Sequence, residues 1–108
     1  MALRRAGVNA VRNGPIRQPF MGPTGMSYRL PGGELQAYLY ADAVALGRDT
    51  DKLDTTSVSP PGMKINWVMP ASLITENNLA LFLLTRDARL KERITRTIEA
   101  KAVHGGHP

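Results

Sequence analysis

The chain has 108 residues, with 14 Lys and Arg against 9 Asp and Glu, and no cysteine. This length leaves room for one small domain. The lack of cysteine excludes a disulfide framework, a thiolate metal site and a cysteine nucleophile.

The charge is unevenly distributed along the chain. Residues 1–33 carry a net charge of +5, residues 34–63 carry −3 and residues 64–108 carry +3. A basic, acidic, basic order indicates segments that contact different surfaces. The cations are nevertheless few, and those near the C-terminus alternate with acids, so nucleic acid is less favoured as a partner than protein.

The first segment, residues 1–33, is free of acids and rich in glycine and proline. Its charged side chains are Arg4, Arg5, Arg12, Arg17 and Arg29. Wound as a helix, residues 2–13 place Arg4, Arg5 and Arg12 on one side. An arginine-rich, acid-free start is typical of mitochondrial targeting segments, although these usually contain more serine. Residues 14–33 are expected to form an extended arm, because proline and glycine disfavour a helix.

A first helix is predicted over residues 34–46. Gly33 can cap its start, and Gly47 supplies a stop at its end. A polar connection over residues 48–63 follows, whose aspartates lack the spacing of a calcium loop. Residues 64–69 alternate in polarity and predict a short extended segment or edge strand. The apolar stripe of the helix consists of Leu35, Tyr38, Leu39 and Leu46.

A longer helix is predicted from Ser72 or Thr75 to Ala102. Its apolar arc has helical spacing, and the run from Leu79 to Leu84 is apolar on all sides, which indicates burial on several sides. The pair Glu92–Arg96 has the favourable i,i+4 spacing on this helix. The arc consists of Leu79, Leu83, Leu90, Ile94 and Ile98.

The apolar stretch from Ile65 to Thr85 is long enough to cross a bilayer. It contains Glu76 and three asparagines, and polar groups in hydrocarbon are costly. A membrane span is therefore disfavoured, while proximity to a membrane stays open.

No catalytic signature is found in the sequence. Only His104 and His107 could ligate a metal through imidazole, and a zinc site needs three or four ligands. Phosphate-binding, nucleophile-elbow and zinc-protease motifs are missing. We therefore expect a protein that is not an enzyme and has no cofactor, no metal site and no small-molecule substrate.

The residues expected to contact a partner are one aromatic anchor, three residues of the apolar run and a basic stripe with helical spacing. They are Trp67, Leu79, Phe82, Leu83, Arg86, Arg89, Arg93 and Arg96. The stripe suits an acidic partner, acidic lipid head groups or RNA phosphate, and it equally suits a solvated helix face.

The predicted fold is mainly α, with one short and one long amphipathic helix, irregular connections and little or no β-structure. Residues 1–33 form the targeting segment and arm, and residues 34–108 form a small helical body. The function expected is that of a non-catalytic accessory subunit of a large mitochondrial assembly, with an inner-membrane respiratory-chain complex preferred. A mitochondrial ribosomal protein that contacts rRNA and a virion structural protein with an N-terminal arm are the alternatives.

Overall fold

The computed structural model describes residues 9–53, 58, 67 and 69–105, the last seven of these as helix backbone alone. Within these ranges the chain forms a five-stranded antiparallel sheet and two helices. The prediction of a mainly α fold with little or no β-structure is therefore wrong. In chain order the elements are β1 (Val11–Ile16), β2 (Gly25–Leu30), β3 (Gly33–Leu39), α1 (Ala43–Thr50), β4 (Ala71–Glu76), β5 (Leu79–Thr85) and α2 (Ala88–Gly105).

The strand order is β1-β2-β3-β5-β4, and all neighbouring strands are antiparallel. The first three strands form a meander. After β3 the chain forms α1, returns as β4 and turns back as β5, which pairs with β3. The β4–β5 hairpin therefore lies with β5 inside the sheet, between β3 and β4, and with β4 at the edge.

Both tight turns have a recognisable local cause. Pro31 and Gly32 join β2 to β3, with Leu30 paired with Gly33. Proline fixes one φ angle and Gly32 has φ +84°, the combination of a type II turn. The β4–β5 turn consists of Asn77 and Asn78. Asn77 has φ +51°, and asparagine is among the few residues that tolerate this left-handed region.

The interior strand β5 shows why the apolar run also fits a helical pattern. Successive side chains of a strand point to opposite faces, and every residue from Ala80 to Thr85 is buried. A strand covered on both faces has a continuous apolar sequence, which periodicity cannot distinguish from a buried helix. The burial expected for Leu79–Leu84 is present, but the helical assignment before residue 88 is wrong.

The second half of the predicted long helix corresponds to α2. Asp87 caps its start, because Asp87 Oδ1 accepts hydrogen bonds from Arg89 N (2.9 Å) and Leu90 N (3.2 Å). The predicted pair Glu92–Arg96 is confirmed as a salt bridge on the exposed side of the helix.

The helix predicted over residues 34–46 is also wrong. Residues 33–39 form β3, and α1 begins only after Asp42, whose Oδ1 accepts a hydrogen bond from Ala45 N (2.8 Å). Gly47, expected as a stop, lies inside α1. Leu35 and Tyr38 belong to opposite faces of the sheet, and their helical spacing is a coincidence of burial on both sides.

The residues assigned to the targeting helix and arm form part of the sheet. Residues 11–13 belong to β1, not to a helix, and residues 25–30 form β2. A bulge interrupts β1 between Arg12 and Gly14. Residues 1–8 lie outside the described residues. The expected segment at 64–69 is described only at Trp67 and Met69, neither of which is in a strand.

Two apolar layers sandwich the sheet. The α2-side cluster consists of Leu30, Leu35, Ile74, Leu81, Leu83, Leu90, Ile94 and Ile98. The α1-side cluster consists of Met21, Tyr38, Tyr40, Leu46, Leu53, Val58, Ala80, Phe82 and Leu84. No helix in the described part of the chain is long and apolar enough to cross a membrane.

Candidate interaction surface

The helix α2 covers only part of its face of the sheet. It packs on β4 and β5. Strands lie roughly 4.8 Å apart, and a helix with its side chains is about 10 Å wide. On the same face of β2 and β3, Leu30 and Leu35 are buried in the cluster with α2, whereas Leu39 at the end of β3 is exposed and Met26 and Ala37 are half-buried. The described residues therefore leave the area around Met26, Ala37 and Leu39 only partly covered. We call this area the open half-face.

A shallow, mainly apolar groove of about 460 Å³ lies on the open half-face. Leu39 is 65 % exposed there, although it is one of the larger apolar side chains. Tyr28, Ala37 and Leu79 also pack against the α2-side cluster. The groove is therefore a continuation of the core that the described residues do not cover. Its lining consists of Pro15, Thr24, Gly25, Met26, Tyr28, Ala37, Leu39 and Leu79.

Two arginines border the groove at its β1 side. Arg12 is paired with Tyr28 across the strands, and its Nε lies 3.4 Å from Met26 Sδ. Arg17 donates a hydrogen bond of 3.0 Å to Thr24 Oγ1, in the groove lining. Both arginines are exposed, so positive charge lies beside an apolar surface.

The other border of the open half-face is α2. Leu90, Ile94 and Ile98 face the sheet, and the helix starts beside the end of β5 and runs back against the direction of that strand. At the end of β5, Thr85 N donates a hydrogen bond of 3.1 Å to Pro70 O, which directly precedes β4.

The exposed cations of α2 include Arg89, Lys91 and Arg93. Arg96 is exposed as well and is paired with Glu92. The positive charge beside the groove is therefore that of Arg12 and Arg17.

The residues expected to contact a partner differ in how far the structure buries them. Phe82 and Leu83 are fully buried on opposite faces of β5, where they hold the core of this chain. Trp67 is half-buried, with its ring 5.4 Å from that of Phe82. Leu79 lines the groove. The four arginines are exposed, with Arg86 in the link before α2 and Arg89, Arg93 and Arg96 on the helix.

Sequence reasoning missed the two β2 residues of the groove lining, Met26 and Tyr28. Together with the buried Leu30 they alternate with Ser27 and Arg29 and are followed by a Pro-Gly turn. This is the pattern of a strand and hairpin. The frequent glycines and prolines around it favour an extended arm instead, and so hide the strand.

The opposite face of the sheet contains a hydrogen-bonded layer in place of a groove. The buried Gln36 accepts from Tyr38 OH (2.9 Å) and from Gln18 Nε2 (3.2 Å) through Oε1, and donates to Glu34 Oε2 (3.0 Å). Burial, and secondarily the charge of Glu34, raises the pKa of Tyr38 to about 12. The phenol is therefore a neutral donor at physiological pH.

A second polar link ties the loop before β2 to α1. Asp49 Oδ2 accepts from Tyr40 OH (2.8 Å) and from Gly22 N (2.8 Å). Burial and then the Asp49 carboxylate raise the pKa of Tyr40. These tyrosines act as cross-links, because their neutral hydroxyls are committed to acceptors within the fold.

No group of three or more His, Cys, Asp or Glu that could hold a metal occurs among the described residues. The side chains of His104 and His107 lie outside them. Comparisons with protein-family models, with curated proteins and with solved structures give no match to this chain.

Proposed function

We propose that the protein is a non-catalytic accessory subunit that binds a neighbouring subunit of a larger assembly through the open half-face. The observation that carries this proposal is the exposure of Leu39 in an apolar groove continuous with the α2-side cluster. Apolar surface that is contiguous with a core and bordered by polar groups marks interaction sites in soluble domains.

The form of the groove favours a protein partner. It is shallow and open, whereas sites for small molecules enclose most of the ligand surface. Its floor is made mainly of aliphatic side chains and has Tyr28 as its only aromatic residue, so it offers little for the base stacking that single-stranded RNA requires. A subunit with a matching apolar surface would remove the exposed side chains from water.

The identity of the assembly remains the hypothesis drawn from the sequence. The basic start at Arg4 and Arg5 favours mitochondria, and an inner-membrane respiratory-chain complex is our first choice. Both arginines lie in residues 1–8, outside the described residues. A mitochondrial ribosome is the alternative in which the exposed arginines of α2 would contact rRNA.

The test compares two matched substitutions in the full chain. Leu39→Glu places a charge in the groove. Val44→Glu places the same charge on α1, where the native side chain is 66 % exposed. Both tagged variants are expressed in the source cells, the cells are fractionated, and assembly is followed by native size separation with identification of the co-migrating subunits.

We expect Leu39→Glu to reduce incorporation at least about tenfold, since a carboxylate in an apolar interface is desolvated and unpaired. Val44→Glu should assemble like the native chain. Normal assembly of Leu39→Glu would contradict the proposed surface. Co-migration with ribosomal subunits would replace the respiratory assignment.

A further inference from the structure

We infer that the outer edge of β4 pairs with β4 of a second copy of the chain, so that the two sheets join across a twofold axis at Leu73. This interface is separate from the open half-face and does not rest on the proposed function. It is carried by the direction of the backbone groups of β4, by the apolar layers that reach this edge, and by the contrast with the edge at β1.

The first argument is the direction of the backbone groups of β4. Thr85 N donates a hydrogen bond to Pro70 O just before β4 begins, and antiparallel residue pairs alternate between hydrogen-bonded and non-hydrogen-bonded. In the register of β4 with β5, the N–H and C=O groups of Ala71, Leu73 and Thr75 therefore point away from the sheet. Among the described residues β4 pairs with β5 alone, and no other backbone bond reaches these three residues.

These outward groups are self-complementary. In an antiparallel pair centred on Leu73, the two copies of Leu73 lie opposite each other, and Ala71 lies opposite Thr75 of the second copy. Each hydrogen-bonded pair exchanges two bonds, so the three pairs supply about six. Glu76 is the only charged residue of β4, and in this register it lies opposite Pro70 of the second copy. No like charges therefore meet along the joined strands, where they would be destabilising.

The second argument is that both apolar layers reach the edge. Ile74 belongs to the α2-side cluster, whereas Ala71 and Leu73 pack against the α1-side cluster. Leu73 is only half-buried in one copy. The pairing places Leu73 against its own copy on one face of the sheet, and Ile74 beside Ser72 of the second copy on the other face. Both clusters then continue into the second copy, which removes apolar surface from water.

The third argument is the contrast between the two edges of the sheet. β1 has a bulge between Arg12 and Gly14, and Pro15 follows directly. Both features protect an edge strand against pairing with another chain. β4 keeps a regular register and contains neither proline nor lysine. Because only one edge suits pairing, two copies that use the same edge form a closed dimer and not an open row of sheets.

The test uses the purified full-length chain. Analytical ultracentrifugation from about 1 μM to about 1 mM covers the range in which weak complexes dissociate, and we expect a monomer–dimer equilibrium. Each copy carries a net charge of +5, so salt that screens this repulsion should strengthen the dimer. Leu39→Glu should dimerise like the native chain, because Leu39 ends β3 and is not part of β4.

Hydrogen exchange of individual amides locates the contact. The amides of Ala71, Leu73 and Thr75 should be protected only at concentrations where the dimer forms. The amides of Ser72 and Ile74 point to β5 and should be protected at every concentration. This alternation along one strand distinguishes edge pairing from contact through a side-chain surface.

Substitutions at the edge test the register. Thr75→Pro removes an outward donor but no bond to β5, and it acts twice in a symmetric dimer. The dissociation constant should therefore rise at least about tenfold. Thr75→Val keeps the amide and should dimerise like the native chain. Leu73→Lys and Leu73→Glu should each be mainly monomeric, because like charges meet at the axis, and an equimolar mixture of the two should recover a mixed dimer.

Four outcomes would overturn the inference. A chain that stays monomeric over the whole range has no such interface. Protection of the outward amides at every concentration would mean that the chain itself covers the edge. Protection that appears only in the parent assembly would identify a strand of another subunit there. A dimer that Leu39→Glu abolishes would form through the groove.

Two controls keep these results separate from folding and from the proposed function. If circular dichroism shows that the Leu73 variants are unfolded, the comparison of Thr75→Pro with Thr75→Val decides, and equal dimerisation of those two variants contradicts the pairing. Incorporation of Leu39→Glu into the parent assembly tests the open half-face alone. Failure of either idea therefore leaves the other standing.

Discussion

The two faces of the sheet are stabilised in different ways. On the α2 side, one long helix packs an apolar stripe on an apolar surface, with no side-chain hydrogen bond between helix and sheet among the described residues. On the α1 side, a short helix and loops are held by Gln36, Tyr38 and the link between Tyr40 and Asp49. A helix satisfies its own backbone groups and needs only apolar contact, whereas a loop needs polar partners for its backbone. The α2 side can therefore leave the end of β3 around Leu39 exposed.

The largest effect is expected from Leu83→Asp in the centre of the α2-side cluster. Leu83 is fully buried in β5, and an unpaired carboxylate there should lower the free energy of unfolding by at least about 4 kcal/mol. This loss is comparable to the whole stability of many small domains. Urea unfolding followed by circular dichroism measures it.

Leu39→Asp is the matched control on the same face. Its side chain is mostly exposed, so we expect a change within about 0.5 kcal/mol. A large loss of stability at Leu39 would mean that the chain itself covers the open half-face. A cooperative native-like transition in Leu83→Asp would show that the α2-side cluster is not the core described here.

The next effect is expected from Phe82→Ala on the α1 side. The Phe82 ring contacts the rings of Phe20, Tyr38 and Trp67 at centroid distances of 5.8, 5.6 and 5.4 Å. Truncation should cost about 3–5 kcal/mol through the cavity left behind. Phe82→Leu should cost about 1–2 kcal/mol, because most of the volume remains. Urea titration gives both values, and the fluorescence of Trp67, the only tryptophan, should change in Phe82→Ala.

A pair of glycines tests how closely β2 and β3 pack on the α1 side. A Cβ at Gly25 would lie 2.5 Å from Tyr38 Cε2 and 2.9 Å from Ala37 O, so Gly25→Ala should destabilise by about 1–3 kcal/mol. At Gly47, inside α1, the nearest atom would be 3.7 Å away. Gly47→Ala should therefore stabilise the fold by about 0.5–1 kcal/mol. Thermal unfolding should shift in opposite directions, and equal signs would contradict the packing described.

The smallest effect concerns pH and is confined to the α1 side. The pKa of Tyr38 is raised to about 12 and that of Tyr40 is raised as well, from an ordinary value of 10.0. A raised pKa means that the folded state holds the proton more tightly. The stabilisation that the two protonated phenols contribute is therefore complete below pH 10. It is lost as the pH rises toward the pKa values of Tyr38 and Tyr40 in the folded state.

We expect the free energy of unfolding to fall above pH 10, and to fall less steeply in Tyr38→Phe and Tyr40→Phe. At neutral pH, Tyr40→Phe should cost about 1–2 kcal/mol, because Asp49 loses one donor but keeps Gly22 N. Unfolding at several pH values up to about 11.5 measures both effects. An identical slope in the native chain and both variants would show that neither phenol contributes.

The sequence by itself determined the features that depend on local chemistry or on total burial. The stripe of Leu90, Ile94 and Ile98 predicts α2, and the Leu79–Leu84 run predicts a segment buried on several sides. A Pro-Gly pair stands at the β2–β3 turn, whereas the Asn-Asn pair of the β4–β5 turn falls inside the predicted long helix. The arginines of the predicted basic stripe are exposed, and Arg89, Arg93 and Arg96 lie on α2.

Only the tertiary structure decided that residues 33–39 and 79–85 are strands. Both segments contain buried residues on both faces of the sheet, so alternation disappears from the sequence and helical spacing fits equally well. The pairing of β3 with β5 depends on contacts between residues 40 to 52 positions apart, which no local pattern records. The open half-face around Leu39 exists because α2 packs on β4 and β5, and that choice is made by packing across the whole sheet.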